Sequence, residues 1–327
     1  MGNLKDNMGI LKELEGKELS GYDLMASILN GDRSDIEIAS ILTFLSSNIL
    51  TVNDFVGFRN AIMDVSHKVN LNEFRTLDIC GTGGDGKNTF NISTTAAFIL
   101  AAGGVKVTKH GNYGSSSICG SSNVLEWLGY EFSNDEDVLK GELYKCGITF
   151  LHAPLFHPHL KKVSEVRRVL GSNTIFNALG PVCNPSKPNI SVVGVSMANK
   201  RYFDYYKEVL NTYAIIEDQN GYDEISLTDS VRIHTNNGYH YLFPINMWLN
   251  NVNGNDIIGG ATVEESGKQM VRILNRGGSE AENDVVAANA GLGFMLYDGV
   301  ELVDGIRKAK EILKSGAGLD VLHKLVG

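Results

Sequence analysis

Proline is scarce in this chain, six in 327 residues, and its four cysteines stand far apart, at positions 80, 119, 146 and 183. A collagenous or linker-rich chain is thereby excluded, and with no Cys-x-x-Cys pair there is no disulfide framework to expect. Reduced thiols in a cytosol are the simplest reading. Positive charge is also in deficit. The 29 Lys and Arg face 38 Asp and Glu, giving a net charge of −9 and a pI near 5.4. That balance argues against a dedicated nucleic-acid surface but leaves open a small anion held in a local pocket. A membrane-spanning run is missing too: the 18 residues from Asn88 to Val105 carry no charge, yet Asn, Ser, Thr and a Gly pair interrupt them. The opening MGNLKDNMGILKELEGKE has acidic residues and no apolar core, unlike a secretory signal, and Asp6 stands where a myristoylation signal needs Ser or Thr. A soluble, cytoplasmic protein with neither a membrane nor a nucleic-acid partner is expected.

What is present is a globular composition, 43% hydrophobic and 20% charged with 36 glycines, in a chain long enough to bury roughly three quarters of its unfolded surface. Residues 1–68 read as a small helical lobe. Apolar spacing predicts helices over 22–29, stopped by Asn30-Gly31, over 34–45, and from about Thr51, where Thr51 and Asp54 suit a first turn. From Phe74 the pattern changes to alternating strands and helices. Strands are expected at 77–80, 105–108, 148–151, 191–195 and 214–216, with helices at 92–102, 124–128, 158–170 and 202–210 between them. The expectation is an α/β fold: a mostly parallel central sheet flanked by helices in a large lobe, 74–327, joined to the small lobe through helices at about 158–185. Two C-terminal helices, 282–296 and 300–314, would cover the sheet. Asn-Gly pairs at 220, 237 and 253 suggest hairpins in a stretch, 217–280, whose strands the pattern does not place.

Three segments carry chemistry. Strand 77–80 enters Gly81-Thr82-Gly83-Gly84-Asp85-Gly86, followed by a helix whose first turn holds Ser93, Thr94 and Thr95. Such a loop presents backbone N–H groups to phosphate at a helix N-terminus. It is not a nucleotide P-loop, because Asn88 follows Lys87 where Ser or Thr would hold Mg²⁺. Nor is it a convincing dinucleotide loop, since no acidic residue near position 100 would take a ribose. The second segment, Lys109-His110-Gly111-Asn112-Tyr113-Gly114 with its serines, leaves a neighbouring strand where ligands of parallel sheets sit. In the third, Asp223-Glu224, both carboxylates can converge on Mg²⁺ if the pair lies in a turn. His152, His157 and His159 lack a zinc-protease spacing. Arg167 or Arg168 could bind a carboxylate bidentately, and the residues do not choose between them.

With these stretches the sequence resembles the anthranilate phosphoribosyltransferases, within a fold class shared with pyrimidine nucleoside phosphorylases. The matching motifs are GTGGDGKNTFNIST (81–94), KHGNYGSSSICGSSNVLEWLG (109–129), HPHLKKVSEVRRVLGSNTIFNALGPVCNP (157–185) and GYDEIS (221–226). The third motif favours the anthranilate enzymes. The resemblance implies a Mg²⁺-dependent homodimer acting on anthranilate and 5-phosphoribosyl 1-pyrophosphate. Carried over residue by residue, Gly81, Gly83, Gly84, Asp85, Thr89, Asn91, Ser93, Thr94, Lys109, Ser117 and Ser121 would hold the phosphoribosyl donor. Ser93, Asp223 and Glu224 would serve Mg²⁺, and Gly81, His110, Asn112 and Arg167 would receive anthranilate. Lys109, Arg167, Asp223 and Glu224 would be the catalytic set. The chain departs from the common pattern at Tyr113 (often Arg), at Gly120-Ser121-Ser122-Asn123 (often GSAD), at Glu217-Asp218 (often His-Gly) and at Tyr222 (often Leu). Alternative readings are a pyrimidine nucleoside phosphorylase and a non-catalytic binder of the same donor.

Overall fold

The computed structural model describes residues 19–48, 50–114 and 118–327. Among the described residues three helices come first: α1 (Gly21–Leu29), α2 (Asp35–Ser47) and α3 (Val52–Val65). Each starts at a hydroxyl, Ser20, Ser34 or Thr51, whose oxygen accepts an amide of the first turn, and Glu37 and Asp54 complete capping boxes on α2 and α3. Such caps stabilise a helix by about 1 kcal/mol each. Their apolar faces, including Ile38, Ile41, Phe55, Phe58 and Ile62, are buried.

Seven strands form one sheet in the order β3-β2-β1-β4-β5-β6-β7. β1 (Thr76–Gly81), β2 (Lys106–Gly111), β3 (Ile148–His152), β4 (Ile190–Gly194) and β5 (Thr212–Asp218) run parallel. β6 (Val231–Thr235) and β7 (Gly238–Leu242) extend them antiparallel. The period of two along a strand sends alternate side chains into two cores. Leu77, Ile79, Val192, Ala214 and Ile216 join one core together with α4 (Ile92–Ala102) and C-terminal helical residues such as Val285, Ala288, Ile306 and Leu322. Cys80, Val193, Tyr213 and Ile215 join the other, which also takes in these three helices and Val163, Val166, Phe176 and Leu179. Segment 163–179 thus lies in one core with α1–α3.

Several expectations need correction. The 202–210 helix is a 3₁₀ stretch, Met197–Glu208. Its rings are fixed from outside, with Tyr202 stacked on Phe55 at 5.9 Å and Tyr206 donating to Ala178 O at 2.8 Å. Tertiary anchors there override helical propensity. Of the three Asn-Gly pairs only Asn237-Gly238 closes a hairpin, between β6 and β7. Asn220-Gly221 begins an irregular turn, and Asn253 caps a short 3₁₀ segment, Gly254–Ile257. The 158–170 helix is split into a 3₁₀ turn, Pro158–Leu160, and an α-helix, Lys161–Leu170. Helices Glu136–Cys146, Val263–Arg272 and Ala317–Val326 were not foreseen.

Candidate active site

The chain runs β1, β2, β3 to one side and then crosses back to lay β4 and β5 on the other side of β1. The switch point therefore falls between β1 and β4, and ligands of open α/β sheets bind beyond the carboxyl ends of strands at that point. There Gly81 and Gly194 pair in register. A Cβ on either would collide with Asp223, so the two glycines make the notch into which the acidic turn descends. A cleft of about 300 Å³ opens above them, at the lower end of the range for small-molecule sites.

The cleft is lined by Gly81, Gly83, Gly84, Asp85, Thr89, Asn91, Ser93, Thr94, Lys109, His110, Asn112, Ser121, Arg167, Asp223 and Glu224. Ser117 lies outside the described residues. Gly83, Gly84 and Gly86 have φ of 68°, 73° and 71°, a conformation that turns the loop back over the strand end and favours glycine. Asn91 stands at the N-cap of α4 without capping it through its side chain; instead its Nδ2 donates to Cys119 O at 3.1 Å, tying the first loop to the second. The 124–128 helix begins early, at Ser121, which puts this serine on the cleft, where its Oγ donates to Asn112 O at 3.3 Å. At the departure Asn123, the side-chain oxygen accepts the amides of Gly114 and Gly120, both at 3.0 Å, and closes the loop.

Charge in the cleft is unbalanced. Asp223 Oδ2 accepts the Gly83 amide at 2.7 Å, but burial, and then the neighbouring Asp85 and Glu224, push its pKa well above the carboxylate range. Burial also raises Glu224 to about 7, against the pull of Lys109 and of hydrogen bonds from Ser93. Asp85 Oδ2 is buried without a partner. Lys109 is buried, with its Nζ donating to Ile79 O and, at 3.3 Å, to Ser93 Oγ. Three carboxyl groups around one ammonium leave room for a hard cation with oxygen ligands. Among the described residues no three His, Cys, Asp or Glu side chains form a metal-ligating group. Two carboxylates and a serine hydroxyl suit Mg²⁺, which usually takes one or two carboxylates and fills its shell with water and phosphate.

On the opposite wall Arg167 Nη2 donates to Asn177 Oδ1 at 3.0 Å, its guanidinium lies 5.6 Å from the Phe176 ring centre, and its Nε is buried without a partner. Burial lowers its pKa to about 10, so it stays charged at neutral pH. Arg168, exposed, faces away, into an apolar groove with Ile36, Phe44 and Val169. Of the two arginines, then, Arg167 lines the cleft and Arg168 does not. His110 Nδ1 donates to Gly180 O at 3.3 Å, and its ring meets that of His157 edge-on at 5.2 Å. Burial holds both imidazoles neutral, at pKa values of about 3 and about 4. The histidines 152, 157 and 159 do not gather: His152 bonds Ser122 Oγ at 2.8 Å, His157 bonds Ser66 Oγ at 2.7 Å and His159 bonds Leu29 O at 3.3 Å.

Residue-level reading missed Phe176 and Asn177, which hold Arg167, and Phe90, which also lines the cleft. The signal for Asn177 was the capping spacing Thr174-x-x-Asn177, and its side chain does accept the Thr174 amide at 3.1 Å. Two departures are absorbed structurally. Glu217 pairs with Lys200 and, at 3.0 Å, with Arg232, while Asp218 accepts Ser226 Oγ at 2.6 Å.

Residues 73–319 match a family described as "Glycosyl transferase family, a/b domain". An anthranilate phosphoribosyltransferase of Flavobacterium psychrophilum is 45% identical over 305 residues, 93% of this chain and 92% of that protein. One of Christiangramia forsetii is 42% identical over 301 residues, 91% of each. Among solved structures, anthranilate phosphoribosyltransferase from Thermus thermophilus superimposes with a TM-score of 0.89 at 30% identity, covering 97% of this chain and 98% of that one. The Saccharomyces cerevisiae enzyme in complex with PRPP and Mg does so with a TM-score of 0.84 at 25% identity, covering 99% and 98%.

Proposed function

The chain belongs to the anthranilate phosphoribosyltransferases of the glycosyl transferase a/b-domain family, and from that premise we propose how its cleft works. The enzyme transfers the 5-phosphoribosyl group of phosphoribosyl pyrophosphate to the amine of anthranilate, releasing pyrophosphate and N-(5-phosphoribosyl)anthranilate for tryptophan biosynthesis. The observation that carries the assignment of roles is the convergence, at one switch point, of a glycine loop, a buried acidic turn, Lys109 and Arg167.

In this reading the loop from Gly81 to Asp85, the first turn of α4 with Asn91, Ser93 and Thr94, and Thr89, Lys109 and Ser121 hold the donor through amides, hydroxyls and one ammonium. Ser93, Asp223 and Glu224 would hold Mg²⁺, which when bound neutralises pyrophosphate oxygens. Lys109, fixed between Ile79 O and Ser93, stabilises charge that develops on the departing pyrophosphate. Arg167, held by Asn177, takes the anthranilate carboxylate, and Gly81, His110 and Asn112 bound the space for the ring and amine. This fixes the amine opposite the leaving group, so that binding replaces a bimolecular encounter. The ring-oxygen electrons support an oxocarbenium-like transition state. The amine attacks the anomeric carbon as the bond to pyrophosphate breaks, and the ammonium then loses its proton. One displacement gives inversion to the β-anomer with no covalent intermediate.

In the same reading the small helical lobe, joined through the segment at about 158–185, moves against the large α/β lobe to close the cleft. A homodimer is part of the same reading, and the groove with Ile36 at 60% and Val169 at 86% exposure is surface of the kind that association covers. So is a cytoplasmic location; among the described residues no helix is long and apolar enough to cross a membrane.

The test is loss of anthranilate fluorescence on adding phosphoribosyl pyrophosphate and Mg²⁺ to purified protein, with the product mass confirmed. Loss that requires protein, donor and Mg²⁺ together is expected. No loss, in folded protein that binds the donor, would overturn the reading and move the search to phosphorolysis of nucleosides.

A further inference from the structure

One polar contact joins the two halves of the cleft without facing it. Asn173, in the turn after the Arg167 helix, donates from Nδ2 to Gly84 O at 3.0 Å. Its side chain also packs directly over the Gly84 α-carbon, in the space that a Cβ would take. Gly84 holds φ at 73° in the middle of the donor loop. Six residues before Asn173 stands Arg167; four after it stands Asn177, which accepts both Arg167 Nη2 and the Thr174 amide. One short segment, 167–177, therefore carries the guanidinium on one side of the cleft and a peg on the glycine loop on the other. Asn173 itself does not line the cleft, so any effect it has passes through those neighbours.

We propose that Asn173 is a positioning residue that couples the two sites: pyrophosphate on the glycine loop orders the loop against Asn173, and through segment 167–177 sets Arg167 for the acceptor carboxylate. The proposal rests on the assignment of donor and acceptor sites above. Coupling between two binding sites is a free energy and is reciprocal, so anthranilate tightens pyrophosphate binding by the same factor. A bond of the neutral N–H···O type sets the scale of what Asn173 transmits, about five-fold in affinity.

The experiment measures anthranilate binding by its fluorescence, with Mg²⁺ present, in the absence and presence of inorganic pyrophosphate, a probe that cannot turn over. The wild-type protein is expected to bind anthranilate about five-fold more tightly with pyrophosphate. In Asn173→Ala, and in the isosteric Asn173→Asp, which has no N–H to donate, that ratio is expected to fall to about one. Thermal stability of both variants should stay near wild type. Anthranilate affinity without pyrophosphate should stay within about two-fold, a split that general loosening of the fold would not produce. A wild-type ratio of one, or an unchanged ratio in both variants, overturns the coupling while leaving the site assignments intact. A wild-type protein that binds neither probe overturns those assignments and the coupling with them.

Discussion

Arg167→Ala should separate acceptor binding from donor binding. Arg167 has one Nη2 bond, to Asn177 at 3.0 Å, and a buried Nε with no partner. The rest of the guanidinium is therefore free to make the two parallel bonds that a carboxylate accepts. A hydrogen bond to a charged group contributes about 1.5–3 kcal/mol, and Arg167 is already largely desolvated before anthranilate arrives. Two such bonds, less the cost of desolvating the carboxylate, amount to about 2–4 kcal/mol, or about 30- to 700-fold in affinity. Arg167→Lys keeps the charge but loses the fork, and should fall between. Stability should change little, because the substitution also removes an unpartnered buried N–H. The assay is a fluorescence titration of anthranilate beside steady-state KM values for both substrates. The donor KM should rise by no more than about five-fold, the reciprocal coupling lost with the acceptor contact, since no donor group in the proposed arrangement touches Arg167. Arg168→Ala, on the exposed side of the same helix, should match wild type. Equal losses of both substrates in Arg167→Ala, or an acceptor defect in Arg168→Ala, would refute the assignment.

The acidic turn and the buried His157 give three further tests. Asp223→Asn combined with Glu224→Gln should lower Mg²⁺-dependent turnover by at least about 100-fold, given the size of charge-stabilising contacts in active sites; an unchanged rate at limiting Mg²⁺ would show that the pair does not serve the metal. The same variant has a pH signature in metal-free protein. Glu224 has a folded pKa raised to about 7, so the folded state binds the extra proton, and stability falls as pH rises from the ordinary glutamate value through about 7. Melting temperature measured across that window should decline less in the double variant than in wild type. His157 works in the opposite sense. Its folded pKa is lowered to about 4 by burial, so the unfolded chain binds the proton first, and its contribution is full above the ordinary histidine value and lost as pH falls through about 4. His157→Asn should flatten that acid limb, and an unchanged slope between pH 6.5 and 4 would count against a buried neutral imidazole.

Much of this protein was legible before its structure. The capping residue Thr51, the helix from Ile92 to Ala102 and the β-α alternation are local patterns, and a chain segment of a dozen residues contains everything needed to read them. The cleft residues were legible because glycines that present amides, hydroxyls at a helix start and adjacent carboxylates announce phosphate and cation chemistry by type. The 3₁₀ stretch at Met197–Glu208 was not legible, because Phe55, about 150 residues earlier in sequence, decides it. Helices such as Glu136–Cys146 were overlooked although their N-caps, here Asp135, stood in plain view.

The sequence by itself determined the parallel strands and many of the helices, the sheet's mostly parallel character and the list of residues whose chemistry suits phosphate, Mg²⁺ and a carboxylate. Tertiary structure decided how those residues meet. It set Asp223 into the notch of Gly81 and Gly194, residues over 100 apart brought into register by strand pairing. It turned Arg167 to the cleft and Arg168 to a groove, and it hung Asn173 on Gly84. Composition and spacing describe what a side chain can do; which partner it reaches, and how far burial shifts its proton, depend on elements distant in sequence that only the packed fold brings together.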